Sequence, residues 1–254
     1  MSYDIIDFHT HPYMTEAENL CAHKDVVGSS KEIFLSDLEK CGITKFAGSV
    51  ITKLGSDDMK ASNNIAYRLK DDFADKYIMG IQVDPRFVDE SVNEIDAAIK
   101  NKINLIGELV PYAYGWSYAS ADFRKLLDAA NPYGMTVSLH TVQGEFDAME
   151  DLARCYPDLT FVFAHPGEYA SLVRHIEIMK KHDNVYLDLS GTGLFRFGML
   201  KRLVGDVGAE RILFGTDYPI CNPNMYVNAV LGEHISDSDK ELIFSLNAKR
   251  ILKI

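Results

Sequence analysis

Eight short apolar runs recur along this chain, and a longer amphipathic segment follows each of them. The runs are YDIIDF (3–8), ITKFAGSVI (43–51), YIMGIQV (77–83), INLIGEL (103–109), MTVSLH (135–140), LTFVFAH (159–165), VYLDLS (185–190) and RILFGTD (211–217). Most are almost continuously apolar, which is typical of strands that are buried on both faces of a parallel sheet. This alternation constrains the fold more than any other feature of the sequence.

The segments between the runs carry the signals of helices. Ser29 and Glu32 have the spacing of a capping box ahead of an apolar stripe, and Gly42 closes that segment. Ser238 and Glu241 have the same spacing at the start of the last segment. The sequence therefore predicts helices between the strands, with Ser29 and Ser238 as two of the caps.

Eight strands that alternate with helices over 254 residues predict an α/β fold of the (β/α)8 barrel type. A doubly wound open sheet is the main alternative, but it would be expected to carry a glycine-rich phosphate turn after the first strand. Here the first run leads into HTH instead. Because no low-complexity tract or Pro/Ser-rich linker divides the chain, we predict one domain over residues 1–254.

Charge and cysteine usage restrict the partners and the location that we expect. The net charge is −11, from 37 acidic and 26 basic residues, which disfavours a broad nucleic-acid-binding surface. No apolar run approaches the ~20 residues of a membrane span, and the N-terminus lacks the pattern of a signal peptide. The four cysteines are scattered without a CxxC pair. We therefore expect reduced thiols in a cytoplasmic protein that has no nucleic-acid or membrane partner.

Side chains that can bind metals fall at the ends of several runs. In a parallel barrel the carboxyl ends of all strands meet at one mouth, where functional residues lie. Side chains two residues apart on a strand point to the same side, so a histidine pair of the HxH type could bind one ion. Imidazole nitrogens and carboxylate oxygens suit zinc, and also manganese or iron. The predicted ligands are His9, His11, Glu108, His140, His165 and Asp217.

Each of these residues also has a more ordinary interpretation. The HxH pair could be loop histidines bonded to the backbone, and Asp217 could cap a turn. His165 in AHPG could be a turn histidine, and Glu108 could support a ligand histidine instead of bridging two metals. Asp188 in the seventh run is interpreted as a buried structural carboxylate. The position of all six predicted ligands at strand ends favours the metal site.

The stretches DFHTHPY, SLHT, FAHPG, RILFGTDYP and NAKRIL, in this order, resemble the amidohydrolase superfamily. They are similar in particular to the amidohydrolase-related group that includes aminocarboxymuconate-semialdehyde decarboxylase, and they span nearly the whole chain. The resemblance implies a distorted (β/α)8 TIM barrel in which His9, His11 and Asp217 hold the tighter metal, with His140 as a further ligand. It implies that His165 is a ligand in binuclear members, and an acid/base or substrate-polarising residue in mononuclear ones.

The fourth run departs from the pattern of many binuclear members, which place a carboxylated lysine there. IGELVPYAYGW has no lysine at the strand end and resembles the Glu-bearing strand 4 of TatD-type nucleases. However, TatD-type enzymes usually end strand 8 in an ETD-like triplet and strand 6 in a His-Cys-type ending, where this chain has GTDYP and AHPG. The sequence therefore leaves open whether the site holds one ion or two, with Glu108 as the possible bridge.

These features predict a metal-dependent hydrolase that activates water on a divalent ion, with zinc favoured, to cleave an amide, lactone or ester. Asp217 would accept the proton of the water, and His165 would help to polarise the scissile group. Three alternatives stay open. They are a metal-dependent non-oxidative decarboxylase of an aromatic or unsaturated acid, a TatD-like phosphodiesterase or nuclease, and a metal-binding barrel that has lost catalysis.

The loops that follow the strands indicate a small-molecule substrate. The segment PYAYGWSY (111–118) is aromatic, so Tyr112 and Trp116 could form an apolar wall for a substrate, or could simply pack over the barrel mouth. Arg196 could bind a substrate carboxylate in a bidentate manner, or could form a surface salt bridge. The chain could also form a homo-oligomer.

Overall fold

A computed structural model of the chain describes residues 3–52 and 58–254. Its strands form one eight-stranded sheet in which each strand pairs in parallel with the next along the chain. This order confirms the eight predicted strands and the (β/α)8 fold class. The strands are β1 (Ile6–Asp7), β2 (Lys45–Gly48), β3 (Tyr77–Ile81), β4 (Leu105–Leu109), β5 (Thr136–His140), β6 (Thr160–Ala164), β7 (Val185–Asp188) and β8 (Ile212–Leu213).

Helices connect the strands and surround the sheet. In the first half they are α1 (Lys24–Val27), α2 (Lys31–Lys40), α3 (Met59–Asp72), α4 (Val88–Lys100), α5 (Pro111–Tyr114) and α6 (Ala121–Ala130). In the second half they are α7 (Phe146–Cys155), α8 (Tyr169–Lys181), α9 (Met199–Val207), α10 (Pro223–Gly232), α11 (Asp237–Glu241) and α12 (Asn247–Leu252), and the π-helical turn Leu242–Leu246 joins the last two. Among the helices of residues 3–52 and 58–254, none is long and apolar enough to cross a membrane.

The sheet closes between its first and last strands. The backbone N–H of Phe8 donates to the carbonyl of Phe214 over 2.8 Å, just beyond the ends of β1 and β8. Further along, Asp217 donates to the carbonyl of His9 and His11 donates to that of Tyr218, each over 2.8 Å. These bonds bring the HxH segment beside the predicted carboxylate ligand of the last strand.

An apolar cluster fills the interior of the barrel below this mouth. Inward-facing strand residues such as Ile6, Leu105 and Val162 are fully or almost fully buried there. Residues of α12, including Ala248 and Leu252, complete the same cluster and cover the amino end of the barrel. The opposite end, where the strands finish, is therefore the end that can hold a polar site.

Two of the predicted helix caps are wrong by one or two residues. The hydroxyl of Ser30, not that of Ser29, accepts the backbone N–H of Ile33 at the start of α2. The capping box of α11 consists of Ser236 and Asp239 rather than Ser238 and Glu241. In both segments neighbouring residues offer the same hydroxyl or carboxylate, and the direction in which the chain enters the helix decides which one caps it.

Candidate metal centre

Four donor atoms from three strand ends face one another at the mouth. Glu108 lies within β4, whereas His9 and His11 follow the short β1 and Asp217 follows β8. Glu108 Oε2 lies 3.4 Å from His9 Nε2 and 3.5 Å from His11 Nε2. Asp217 Oδ1 lies 3.6 Å from His9 Nε2 and 3.3 Å from His11 Nε2. All four side chains are buried, so these atoms form one compact group shielded from water.

The unmet hydrogen-bonding capacity of this group fits a metal ion. His9 Nε2 and Asp217 Oδ1 belong to the few buried side-chain atoms without a hydrogen-bond partner among the described residues. A buried polar atom without a partner is costly, which argues that a ligand completes the site. Ligands held about 2.1 Å from a tetrahedral zinc ion stand about 3.4 Å apart, which matches the separations of these donors.

Hydrogen bonds on the far sides of the two histidines fix their orientation. His9 Nδ1 donates to Asp188 Oδ2 over 3.0 Å, and His11 Nδ1 lies 3.4 Å from the carbonyl oxygen of Ser49. With Nδ1 engaged in this way, each ring presents Nε2 to the centre of the group, as metal-binding histidines commonly do. Asp188 is fully buried, as its interpretation as a structural carboxylate requires.

The second oxygen of Glu108 faces a different pair of histidines. Glu108 Oε1 lies 2.8 Å from His140 Nδ1 and 3.1 Å from His165 Nε2, and these two nitrogens are 3.2 Å apart. Each oxygen of the Glu108 carboxylate therefore lies close to a different pair of histidines. Both groups of three donor atoms are compact enough to hold an ion.

A serine hydroxyl connects the two histidine pairs from behind. Ser190 Oγ lies 3.1 Å from His9 Nδ1 and 3.0 Å from His165 Nδ1, and it donates a short hydrogen bond to Asp188. His9, His165 and Asp188 form a further group of residues that could hold an ion. However, Asp188 already bonds to His9 Nδ1 and to the hydroxyl of Ser190, and the same hydroxyl contacts His165 Nδ1. Ser190 and Asp188 therefore act first as hydrogen-bond partners of the site histidines.

Burial and charge act in opposite directions on the ionisation of these groups. Burial disfavours a charged His11, but the nearby carboxylates of Asp217 and Glu108 outweigh it and raise the pKa of His11 to about 9. The pKa of His9 is raised well above its usual value, since Asp188 and Glu108 overcome the effect of burial. Burial also opposes ionisation of Glu108, yet the surrounding histidines hold its pKa well below the usual range. Protons on the histidines thus balance the carboxylates where a cation would otherwise do so.

Asp7 is a buried carboxylate whose role the sequence did not reveal. It accepts hydrogen bonds from the backbone N–H of His9 at 3.2 Å, and from the N–H and hydroxyl of Thr216 at 3.0 and 2.6 Å. Burial raises the pKa of Asp7 to about 7. It therefore joins the HxH segment to the residue that precedes Asp217. The sequence feature that could have indicated this role is the presence of an ionisable residue inside a run predicted to be buried.

An open cavity of about 460 Å³ lies beside the candidate metal-ligand group, which consists of His9, His11, Glu108 and Asp217. His140, His165 and Asp217 line one part of its wall, and Phe195 and Ile220 add apolar surface. In contrast, His9, His11 and Glu108 do not line it and are almost completely buried. The most deeply buried metal-donor residues therefore lie behind the residues that could contact a substrate.

The three predicted substrate-binding residues occupy different surroundings. Tyr112 is exposed, and its ring centroid lies 5.2 Å from that of His140, at the mouth. Trp116 does not line the large cavity, because its indole packs against Phe123 and Tyr118 with centroids 5.0 and 5.6 Å away. Arg196 forms an ion pair with Glu168, whose side chain lines the cavity, so the arginine lies at the rim and already has a partner.

The closed barrel agrees with the comparison against protein families. The family model described as Amidohydrolase matches residues 6–254. The chain belongs to the amidohydrolase family. No curated protein matches it. The family assignment confirms the resemblance drawn from the HxH, AHPG and GTDYP stretches.

Solved structures with the same barrel include both decarboxylases and hydrolases. An uncharacterised TIM-barrel protein from Bordetella bronchiseptica is 19% identical to this amidohydrolase over 98% of each chain, with a TM-score of 0.80. A manganese-bound 5-carboxyvanillate decarboxylase from Novosphingobium aromaticivorans is 15% identical over 99% of this chain and 97% of the other, with a TM-score of 0.73. A probable 2-pyrone-4,6-dicarboxylic acid hydrolase from Acinetobacter baumannii is 14% identical over 99% and 100%, with a TM-score of 0.70. At these identities the likeness concerns the fold.

Proposed function

We propose that this amidohydrolase is a metal-dependent hydrolase that cleaves an amide, lactone or ester of a small molecule. The observation that carries the proposal is the convergence of four buried donor atoms from His9, His11, Glu108 and Asp217, two of which have no hydrogen-bond partner among the described residues. These four residues would hold a divalent ion, which would supply an activated water at neutral pH and polarise an oxygen of the substrate.

Two residues that line the cavity could carry out the proton transfer and the polarisation of the substrate. Asp217 belongs to the donor group and also lines the cavity, so its carboxylate can accept a proton from the attacking water and pass it to the leaving group. His165 lines the same cavity, and its Nδ1 is held by the hydroxyl of Ser190. That bond turns Nε2 towards Glu108 Oε1, 3.1 Å away, where it would hold a second ion or, with one ion bound, polarise the scissile carbonyl or ester.

For the cofactor we propose zinc, with manganese or iron as the alternatives. The nitrogen and oxygen donors and their near-tetrahedral spacing support zinc, whereas the manganese in the decarboxylase relative keeps the alternative open. We further propose that Glu108 would contribute one carboxylate oxygen to each of two ion sites if two ions bind, because each of its oxygens faces a separate histidine pair.

The substrate that we propose is a small molecule with an apolar or planar part. The cavity volume of about 460 Å³ suits such a ligand, and Phe195, Ile220 and the nearby Tyr112 supply apolar and aromatic surface. The net charge of −11 still argues against a nucleic-acid partner. A cytoplasmic location also remains part of the proposal, and the four free cysteines agree with it.

Non-oxidative decarboxylation of an aromatic or unsaturated acid is the second candidate function. Known decarboxylases share this barrel, and the same site could polarise a substrate while His165 or a neighbouring group protonates the carbon. The geometry of the ligand group suits either reaction. The two differ in product, since decarboxylation releases carbon dioxide and hydrolysis releases an acid.

The variant Asp217→Asn tests the proposed mechanism. Metal-loaded wild-type protein is assayed on a panel of esters, lactones, amides, aromatic acids and a DNA oligomer. We expect hydrolysis by the wild type, and a kcat about 10²–10⁴-fold lower in Asp217→Asn with most of the metal retained, because the variant lacks a proton acceptor. Asp147→Asn is the control, since that carboxylate is exposed on α7.

Each other result of this assay points to one of the alternatives. Release of carbon dioxide without hydrolysis would replace the hydrolase by the decarboxylase. Release of nucleotides from DNA alone would favour the TatD-like nuclease. If the metal-loaded wild type converts nothing on the panel, a metal-binding barrel without catalysis becomes the better account.

A further inference from the structure

Gln82 is a buried glutamine that lies one residue beyond the end of β3. Its side-chain Nε2 donates two hydrogen bonds, one to the hydroxyl of Ser49 over 2.6 Å and one to the backbone carbonyl of Glu108 over 2.7 Å. Ser49 follows β2 and Glu108 lies in β4. The single amide group therefore connects the carboxyl ends of the two strands on either side of its own.

Both partners of Gln82 are connected directly to the metal-ligand group. The carbonyl oxygen of Ser49 lies 3.4 Å from His11 Nδ1, so the position of Ser49 helps to set the orientation of the His11 ring. The carbonyl that Gln82 holds on the other side belongs to Glu108 itself. A shift of either strand end would change the distance between His11 Nε2 and Glu108 Oε2, which is 3.5 Å.

The backbone of Gln82 is itself held in place from α3. Asn63 Oδ1 accepts the backbone N–H of Gln82 over 2.8 Å, and Asn63 Nδ2 donates to the carbonyl of Gln82 over 3.0 Å. The same Nδ2 donates to Glu94 on α4 over 2.8 Å. Because its main chain is fixed on both sides, the Gln82 amide can act as a rigid spacer between its neighbours.

We propose that Gln82 is a positioning residue that sets the spacing of His11 and Glu108 for metal binding. The inference rests on the proposed metal-dependent function and goes beyond the ligands themselves. A primary amide is suited to this role because its nitrogen carries two hydrogens, one for each strand end. A carboxylate or an alkyl chain of similar size has no hydrogen to donate to either acceptor.

The test compares the metal affinity of the purified full-length variants Gln82→Leu and Gln82→Glu with that of the wild type, by competition between protein and a chelator for zinc. We expect each variant to bind zinc about 10–100-fold more weakly, which is the usual effect of losing a hydrogen-bond partner behind a metal ligand. Ser49→Ala removes one of the two acceptors, and we expect it to weaken binding about 2–10-fold. This milder variant serves if the substitutions at Gln82 prevent folding.

Asn247→Leu is the matched control for a purely structural effect. Asn247 is also a fully buried amide, and its Nδ2 donates to the carbonyls of Ala209 and Ile212 over 2.7 and 2.8 Å. These acceptors lie at the amino end of β8, away from the metal-ligand group. We expect Asn247→Leu to lower the unfolding temperature without changing the affinity for zinc.

The possible results separate this inference from the function on which it rests. Zinc binding by the wild type that weakens in the Gln82 and Ser49 variants but not in Asn247→Leu supports the positioning role. Unchanged affinity in all folded variants at Gln82 and Ser49 contradicts it and leaves the proposed function standing. Equal loss of affinity in Asn247→Leu also contradicts it, because the effect would then follow general stability. A wild type that binds no zinc, manganese or iron overturns the proposed function itself.

Discussion

At the scale of single residues, the left-handed backbone of two site residues indicates how firmly the site is built. His165 and Asp217 have φ values of 69° and 66°, a region that costs a non-glycine residue of order 1–3 kcal/mol. The cost is tolerated because neighbouring bonds fix the backbone, as when Asp217 donates to the carbonyl of His9. Such conformations concentrate at functional sites, which is consistent with the roles proposed for both residues.

Glu108 gives the most informative prediction at the residue scale. If its two oxygens bridge two ions, Glu108→Ala should lower the metal content per chain from two to one or fewer, because each histidine pair loses a shared ligand. Elemental analysis of wild type and variant after dialysis gives both numbers. One ion per chain in both proteins would contradict the bridge and assign Glu108 to a hydrogen bond with His140.

The sequence placed the predicted ligands at strand ends but did not reveal the contacts between them. His9, His11, Glu108, His140, His165 and Asp217 could be placed at strand ends because the apolar runs mark where each strand finishes. Asp7 and Gln82 could not be assigned roles, since their partners Thr216 and Ser49 are distant in the chain. Those contacts depend on which strands become neighbours and on how the barrel closes.

At the scale of secondary-structure elements, the sequence predicted the existence and order of the strands better than their ends. The first run covers residues 3–8, yet β1 contains only Ile6–Asp7, and its next contacts are made across the closure to β8. The apolar run is longer than the hydrogen-bonded strand because residues on either side of a strand are also buried. The predicted helix caps were wrong where neighbouring polar residues could cap the same helix equally well.

The cap of α11 can be tested at this scale. Ser236→Ala should lower the free energy of unfolding by about 1 kcal/mol, since Ser236 accepts the N–H of Asp239 and belongs to a capping box. Ser238→Ala should cost clearly less, because Ser238 lies inside the helix, where alanine is favoured. Urea unfolding of both variants measures the difference, and a larger effect at Ser238 would contradict the assignment.

At the scale of the whole molecule, closure of the barrel would couple the proposed metal binding to stability. The predicted ligands come from β1, β4 and β8 or the segments that follow them, so an ion bound there would join parts of the chain that are far apart in sequence. An ion that binds only the folded chain raises the unfolding temperature by mass action. The sequence predicted the closed fold from its eight repeats, but the bonds that join the first and last strands appear only in three dimensions.

The pH dependence of this stabilisation follows from His11. Its pKa of about 9 in the metal-free folded chain exceeds the ~6.5 expected when the chain is unfolded. Protonated His11 therefore stabilises the metal-free fold fully below pH ~6.5, and this contribution is lost as the pH rises through about 9. A metal ion must displace that proton, so the gain in unfolding temperature on adding zinc should grow from pH 6.5 to 8.5. A gain that is constant or shrinks over this range would contradict the assignment.

Anomalous scattering from crystals grown with zinc tests the central claim most directly, because it locates the metal independently of activity. The account predicts a strong peak between β1, β4 and β8, about 2.0–2.2 Å from His9 Nε2, His11 Nε2 and Asp217 Oδ1. A fully zinc-loaded crystal with no peak among these three atoms, or with its strongest peak elsewhere on the molecule, would contradict it.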